Sequence, residues 1–156
     1  MTRDVVTIGS DVSLWDALTL MRMRQVSGLP VRDETGAVVS VLSQTDIARA
    51  LNVPGGVPEV RGVLDVLLAG FEQDPNAVLP TFRERLGRLK VRDVVGGTLI
   101  SIDADSTVES AAEAMAEQGV HRLPVLHGNE LIGIVTRHDV IRGLIHRPAA
   151  ETTRKG

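Results

Sequence analysis

A chain of 156 residues has room for one domain of ordinary size or two very small ones sharing a core. Its 43% apolar and 24% charged residues are the profile of a soluble globular protein, and a formal charge of −3 lacks the basic excess of a nucleic-acid-binding domain. Without cysteine there is no disulfide, thiolate chemistry or cysteine–zinc site; no apolar run approaches the roughly 20 residues of a membrane span and no secretory signal is visible, so a cytoplasmic location is expected.

Residues 4–8 form a short β-branched run closed by Gly9, Ser10 and Asp11, which predicts a strand and a turn. Leu14, Ala17, Leu18 and Met21 follow at i, i+3, i+4, i+7, the stripe of an amphipathic helix, with Ser13 and Asp16 placed as a capping box. Gly28, Leu29, Pro30 and Val31 begin a second strand, residues 33–36 are turn chemistry, and residues 37–42 return as a third strand. Ser43 then opens a helix carrying Ile47, Ala50 and Leu51. The order is β-α-β-β-α.

The same order recurs downstream. Residues 99–102 predict a strand, and Val108, Ala111, Ala112 and Met115 repeat the helical stripe at the same spacing. Residues 123–126 and 131–135 predict strands around a turn at 127–130, and a last helix carries Val140, Ile141, Leu144 and Ile145. Met115 against Met21, Val120 against Val26 and Pro124 against Pro30 all differ by 94; a one-residue deletion in the turn then makes the offset 93, as in Thr136 against Ser43 and Asp139 against Asp46. A duplicated unit is the simplest account. Each half is too small to cover both faces of a three-stranded sheet, so the halves should pack on each other. The expected organisation is residues 1–53, a helical insert at 54–90, residues 91–147, and a disordered tail at 148–156.

Within the insert, residues 54–58 read as a loop, 63–68 as a short buried helix and 78–89 as a second helix. Arg83, Arg85, Arg88 and Lys90 form either a solvated helix face or a surface for an acidic partner or a ligand phosphate.

The chemistry gathers at Ser43-x-x-Asp46 and Thr136-x-x-Asp139, where a strand turns into a helix. The plain reading is a capping box. The alternative uses the same geometry: free N–H groups at a helix start favour a phosphate, and a carboxylate can accept from both hydroxyls of a ribose. Gly133, in the strand before Thr136, lets a ligand or another backbone come close. His121 and Arg122 stand at a strand start, where the guanidinium suits a phosphate; the alternatives are a surface histidine and a rim salt bridge. No nucleophile–base–orienter set and no metal-ligand cluster is visible, so neither an enzyme nor a catalytic cofactor or metal is expected.

These residues resemble the cystathionine-β-synthase (CBS) domain family: the β-α-β-β-α order, Val-x-x-Leu-Pro-Val around Pro124 with its upstream partner around Pro30, and Gly-Ile-Val-Thr-x-x-Asp ending at Asp139. Two copies in tandem look like a CBS pair, or Bateman module. The resemblance implies a mixed α/β (α+β) fold of two units related by a pseudo-two-fold, with two clefts that bind AMP, ADP, ATP or S-adenosylmethionine as regulatory ligand. It implies that Asp139 holds a ribose, that Thr136, Arg137, His138, His121 and Arg122 line the phosphate side, and that Val5, Val6, Val26 and Ser27 clamp the adenine. A second cleft would use Ser43 and Asp46, with Leu99, Ile100 and Val120 around the base. Ser40 stands where the family prefers glycine, and Ser27-Gly28 replaces the His-Arg pair, so the Asp139 site is expected to bind better. Only residues 1–3 precede the first half, where the family supplies part of the cleft wall; a trimmed fragment and a natural short form both fit, and base binding near Val5 is left open. The resemblance further implies a homodimer and an effector protein as partners. The alternative is a structural or dimerisation module that has lost its ligand. Trp15, where the second copy has Glu109, fits either a dimer contact or a cover by the insert.

Overall fold

The computed structural model describes residues 1–51 and 80–146. The expectations for residues 54–76 and for the 148–156 tail lie outside the described residues. Packing divides the chain into two compact units, Val6–Leu99 and Met1–Val5 together with Ile100 onward.

The first unit contains β1 (Ile8–Gly9), α1 (Leu14–Met23), β2 (Gly28–Arg32), β3 (Val38–Ser43), α2 (Gln44–Ala50), α3 (Pro80–Arg88) and α4 (Val91–Val94). Its sheet has the order β1-β2-β3, with β1 parallel and β3 antiparallel to β2. The second unit contains β4 (Ile102–Asp103), α5 (Val108–Gln118), β5 (Arg122–His127), β6 (Glu130–Thr136) and α6 (Arg137–Ile145), with the sheet order β4-β5-β6.

The register of the two sheets carries the duplication into three dimensions. Ile8 faces Val31 and Ile102 faces Val125, both shifted by 94. Val31 faces Ser40 while Val125 faces Gly133, so the second partner is shifted by only 93. The irregularity falls between Val31 and Arg32 in one sheet and between Val125 and Leu126 in the other. The lost residue therefore lies in the hairpin.

The strands expected at 4–8 and 99–102 are shorter and later: only Ile8–Gly9 and Ile102–Asp103 join a ladder. One step back, Thr7 and Ser101 would face Pro30 and Pro124, which have no N–H to contribute to a ladder.

Both copies end their first helix in the same way. Val26 N–H donates to the Met21 carbonyl at 2.9 Å and Val120 N–H to the Met115 carbonyl at 3.1 Å, the six-to-one bond of a Schellman cap. At the start of α1 the Ser13 hydroxyl accepts from Asp16 N–H at 3.1 Å.

The predicted stripe of α1 is buried throughout: Leu14, Ala17, Leu18 and Met21. They join Leu29, Val31, Leu42 and Ile47 in one core, which also takes in Leu86 from α3 and Val91 from α4. The segment expected to open the second half is thus built into the first unit. Val91 N–H donates to the Val12 carbonyl and Leu14 N–H to the Leu89 carbonyl, each at 2.9 Å.

The second core is smaller, with Ala111, Met115, Leu123 and Val140 buried. Two expectations are corrected here. Val108 begins the α5 stripe but is exposed, and on α6 only Val140 points inward; Ile141, Leu144 and Ile145 are 48%, 45% and 71% exposed. The centre of that trio lies about 90° around the helix from Val140 at about 100° per residue, so packing Val140 turns it out.

Candidate functional site

The hydroxyl–carboxylate pairs are complete capping boxes in both units. At the start of α6, Thr136 N–H and Thr136 Oγ1 both donate to Asp139 Oδ2 at 2.9 Å, and Asp139 N–H donates back to Thr136 Oγ1 at 3.3 Å. At the start of α2, Ser43 N–H and Oγ donate to Asp46 Oδ2 at 2.8 and 2.7 Å, and Asp46 N–H returns to Ser43 Oγ at 3.3 Å. The Thr136 hydroxyl proton expected on a phosphate is therefore engaged by Asp139.

Each box uses one carboxylate oxygen, Oδ2, and leaves Oδ1 for a different partner. Arg49 Nη1 lies 3.8 Å from Asp46 Oδ1, and the Met1 amino nitrogen lies 3.6 Å from Asp139 Oδ1. Partial burial pushes the Asp139 carboxyl up, but the Thr136 N–H and hydroxyl, with the Met1 amine, hold it below the ordinary carboxylate value. Asp139 is therefore an anion and acceptor at neutral pH.

The sheets bring the other residues to these helix starts. Arg122, first in β5, is the cross-strand partner of Thr136, last in β6. The His121 carbonyl accepts from Arg137 N–H at 2.9 Å, which ties the start of β5 to the end of β6 beside Asp139. His121, Arg137 and His138 are exposed and Arg122 is half-buried. In the first unit Gly28 faces Ser43, and the Ser27 carbonyl accepts from Gln44 N–H at 3.1 Å. The same scaffold thus places a histidine and an arginine beside the start of α6 and a serine and a glycine beside the start of α2.

The aliphatic residues divide between the units. Val6, Val26 and Leu99 lie in the first unit, where Val6 and Val26 pack on its core; Val5, Ile100 and Val120 lie in the second, where Ile100 and Val120 pack on its core. All six are half-buried. Among the described residues there is no group of three or more metal-ligating side chains, and no helix long and apolar enough to cross a membrane.

The close approach expected over Gly133 is made by the chain itself. A side-chain carbon at Gly133 would sit 2.6 Å from Met1 Sδ, 2.7 Å from Met1 Cγ and 3.0 Å from the Thr2 carbonyl oxygen. Thr2 and Ile134 form an isolated antiparallel bridge, N–H to carbonyl in both directions at 3.0 Å. Met1 and Thr2 were not among the expected site residues. The bare β-carbon position of Gly133 signalled that something approaches, without saying what.

A pair of three-stranded α+β repeats, each presenting an aspartate at a capped helix start, defines the class. A family model for the CBS domain matches residues 1–53 and 91–146, and the chain belongs to the CBS domain family as a tandem pair. The uncharacterized protein MJ1426 of Methanocaldococcus jannaschii is 33% identical over 153 residues, covering 90% of this chain and 86% of that protein. The CBS domain of a CBS domain containing membrane protein from Sphaerobacter thermophilus is 26% identical, with a TM-score of 0.66 over 89% of this chain and 81% of that one. The structure of CBSX2 in complex with AMP is also 26% identical, with a TM-score of 0.65 over 91% of this chain and 89% of that one.

Proposed function

We propose that this chain is a regulatory module that binds an adenosine-containing ligand, AMP, ADP, ATP or S-adenosylmethionine, and passes the binding event to an effector protein. The observation that carries this reading is the split use of Asp139. Oδ2 closes the helix cap, so the cap survives while Oδ1 accepts from a ribose hydroxyl. The positive end of α6 and the Arg122 guanidinium suit the phosphate side. The AMP held by CBSX2 supports the same ligand class. The module is not an enzyme on this reading: His138 and Asp139 are neighbours on a helix and point apart, so they form no dyad.

The Asp139 site is the stronger of the two, because His121 and Arg122 stand at its mouth where Ser27 and Gly28 stand at the other. The exposed Ile141, Leu144 and Ile145 support a homodimer through α6. A second reading, a dimerisation module without a ligand, is favoured by one observation: both boxes are complete on their own.

Thermal melting with the four ligands separates the two readings. A ligand at about 100 times its Kd raises stability by about 2.7 kcal/mol. Asp139→Ala removes most of that gain and Asp46→Ala less, each measured against its own ligand-free melting point so that cap loss cancels. No gain with any ligand at millimolar concentration selects the second reading, and equal loss from both variants overturns the ranking of the sites.

A further inference from the structure

We infer that residues 80–94 act as a cover over the first unit's helices, and that by closing that face they confine self-association to the second unit, so that assembly stops at two copies. The inference rests on the homodimer reading of α6. The repeat itself supplies the comparison. At its offsets of 94 and 93, Leu14 corresponds to Val108, Ala48 to Ile141 and Leu51 to Leu144. Leu14, Ala48 and Leu51 are buried, whereas Val108, Ile141 and Leu144 are exposed; Leu51 is 2% exposed and Leu144 45%. The matching helix positions are apolar in both copies, and what lies over them differs.

In the first unit α3 packs on α1 and α4 on α2. Leu86 and Val91 share one core with Leu14, Ala48 and Leu51, and Phe82 and Leu89 pack against it. Polar contacts fix the segment in place. Ser13 and Lys90 form an isolated antiparallel bridge, and Arg85 Nη1 donates to the Leu51 carbonyl at 3.2 Å. The outer side of α3 is charged, with Arg83, Glu84, Arg85 and Arg88 exposed. Charged residues are depleted at the centre of protein interfaces, so this surface suits solvent better than a second copy. The exposed apolar side chains of α6 have no such charged layer of their own. A two-fold contact uses the same face on each copy and closes at a dimer, whereas a second open face would let the assembly grow.

The test is sedimentation velocity on the full chain, with the fluorescence of Trp15 as the monitor. Trp15 is the one tryptophan in the chain, and the Arg83 guanidinium lies 5.3 Å from its ring centroid, so lifting α3 should shift its emission to the red. Gly87→Pro breaks α3 while leaving every core side chain in place. Phe82→Ser combined with Leu89→Ser instead weakens the apolar grip of the segment, and serves if the proline variant fails to fold by circular dichroism. The wild type should sediment as a dimer, and an uncovered chain with red-shifted emission should reach about twice that mass or more. Adding Ile145→Asp to the uncovered chain should return it to a dimer, now joined through the first unit. An uncovered chain that stays a dimer overturns the cover and leaves the homodimer standing. Emission unchanged in both variants shows that α3 does not cover α1 and overturns it as well. A monomeric wild type with a dimeric uncovered chain removes the homodimer reading and supports the cover; monomers throughout remove both.

Discussion

At the scale of single residues, the two copies solve one problem with different amino acids. The turn after the first helix needs a left-handed residue. The second copy uses Gly119, at φ 64°, and the first uses Gln25, at φ 54°. Gln25 is the one non-glycine with positive φ among the described residues. Its N–H donates to the Arg22 carbonyl at 3.1 Å, so the Schellman cap forms in spite of the crowded β-carbon. Gln25→Gly should relieve that crowding and stabilise the protein by about 1 kcal/mol. The melting point should rise by roughly 2–4 °C for a chain of this size, read by calorimetry. The reverse change, Gly119→Gln, should cost a similar amount.

At the scale of elements, α3, expected within the insert, and α4, expected to open the second half, both pack on the first unit's core. Phe82 and Leu89 pack against that core beside the fully buried Leu86 and Val91. Their polar side is solvated: Arg88 pairs with Glu84, and Arg92 with Asp11. Arg85 reaches back to the Leu51 carbonyl at 3.2 Å. The Arg83 guanidinium lies 5.3 Å from the Trp15 ring centroid, so Trp15 is covered at least in part by α3. Leu86→Ala should therefore destabilise by about 2–5 kcal/mol, read from the urea midpoint at unchanged slope. Arg88→Ala on the same helix should change stability by less than about 1 kcal/mol, since its ion pair is exposed.

At the scale of the molecule, each compact unit is completed by a segment from outside its own repeat. Val91–Val94 packs with the first unit, and Met1–Val5 with the second. Among the described residues the second unit has the smaller core and more of the exposed large apolar side chains, three of them on α6. Gly143 brings α6 close to Val108 of α5, where an added β-carbon would lie 3.3 Å from both Val108 methyl groups. The homodimer proposed above would use the outward face beside this contact. Ile145→Asp, at a residue 71% exposed, should leave folding within about 0.5 kcal/mol of the wild type. It should convert a dimer to a monomer in sedimentation velocity. A wild type that sediments as a monomer at high micromolar concentration overturns the dimer.

Local periodicity and repeat spacing by themselves determined the two-copy α+β architecture, the buried stripe of α1 and the two helix-start aspartates. Those features depend on contacts a few residues apart, or on a comparison of the chain with itself, so they are written in the linear order. Tertiary structure decided what depends on partners far along the chain. The Pro30 and Pro124 positions shortened β1 and β4 only once the parallel register was set. Val91 was drawn into the first core with its N–H on the Val12 carbonyl, while the Leu89 carbonyl beside it took the Leu14 N–H. Ile141, Leu144 and Ile145 carry the same apolar character as Val140, and only the packing of α6 on α5 determines which of them faces inward. Asp139 was legible as a cap or a ligand group; that one oxygen serves the cap while the other faces Met1 follows from a contact across more than a hundred residues, which no local pattern encodes.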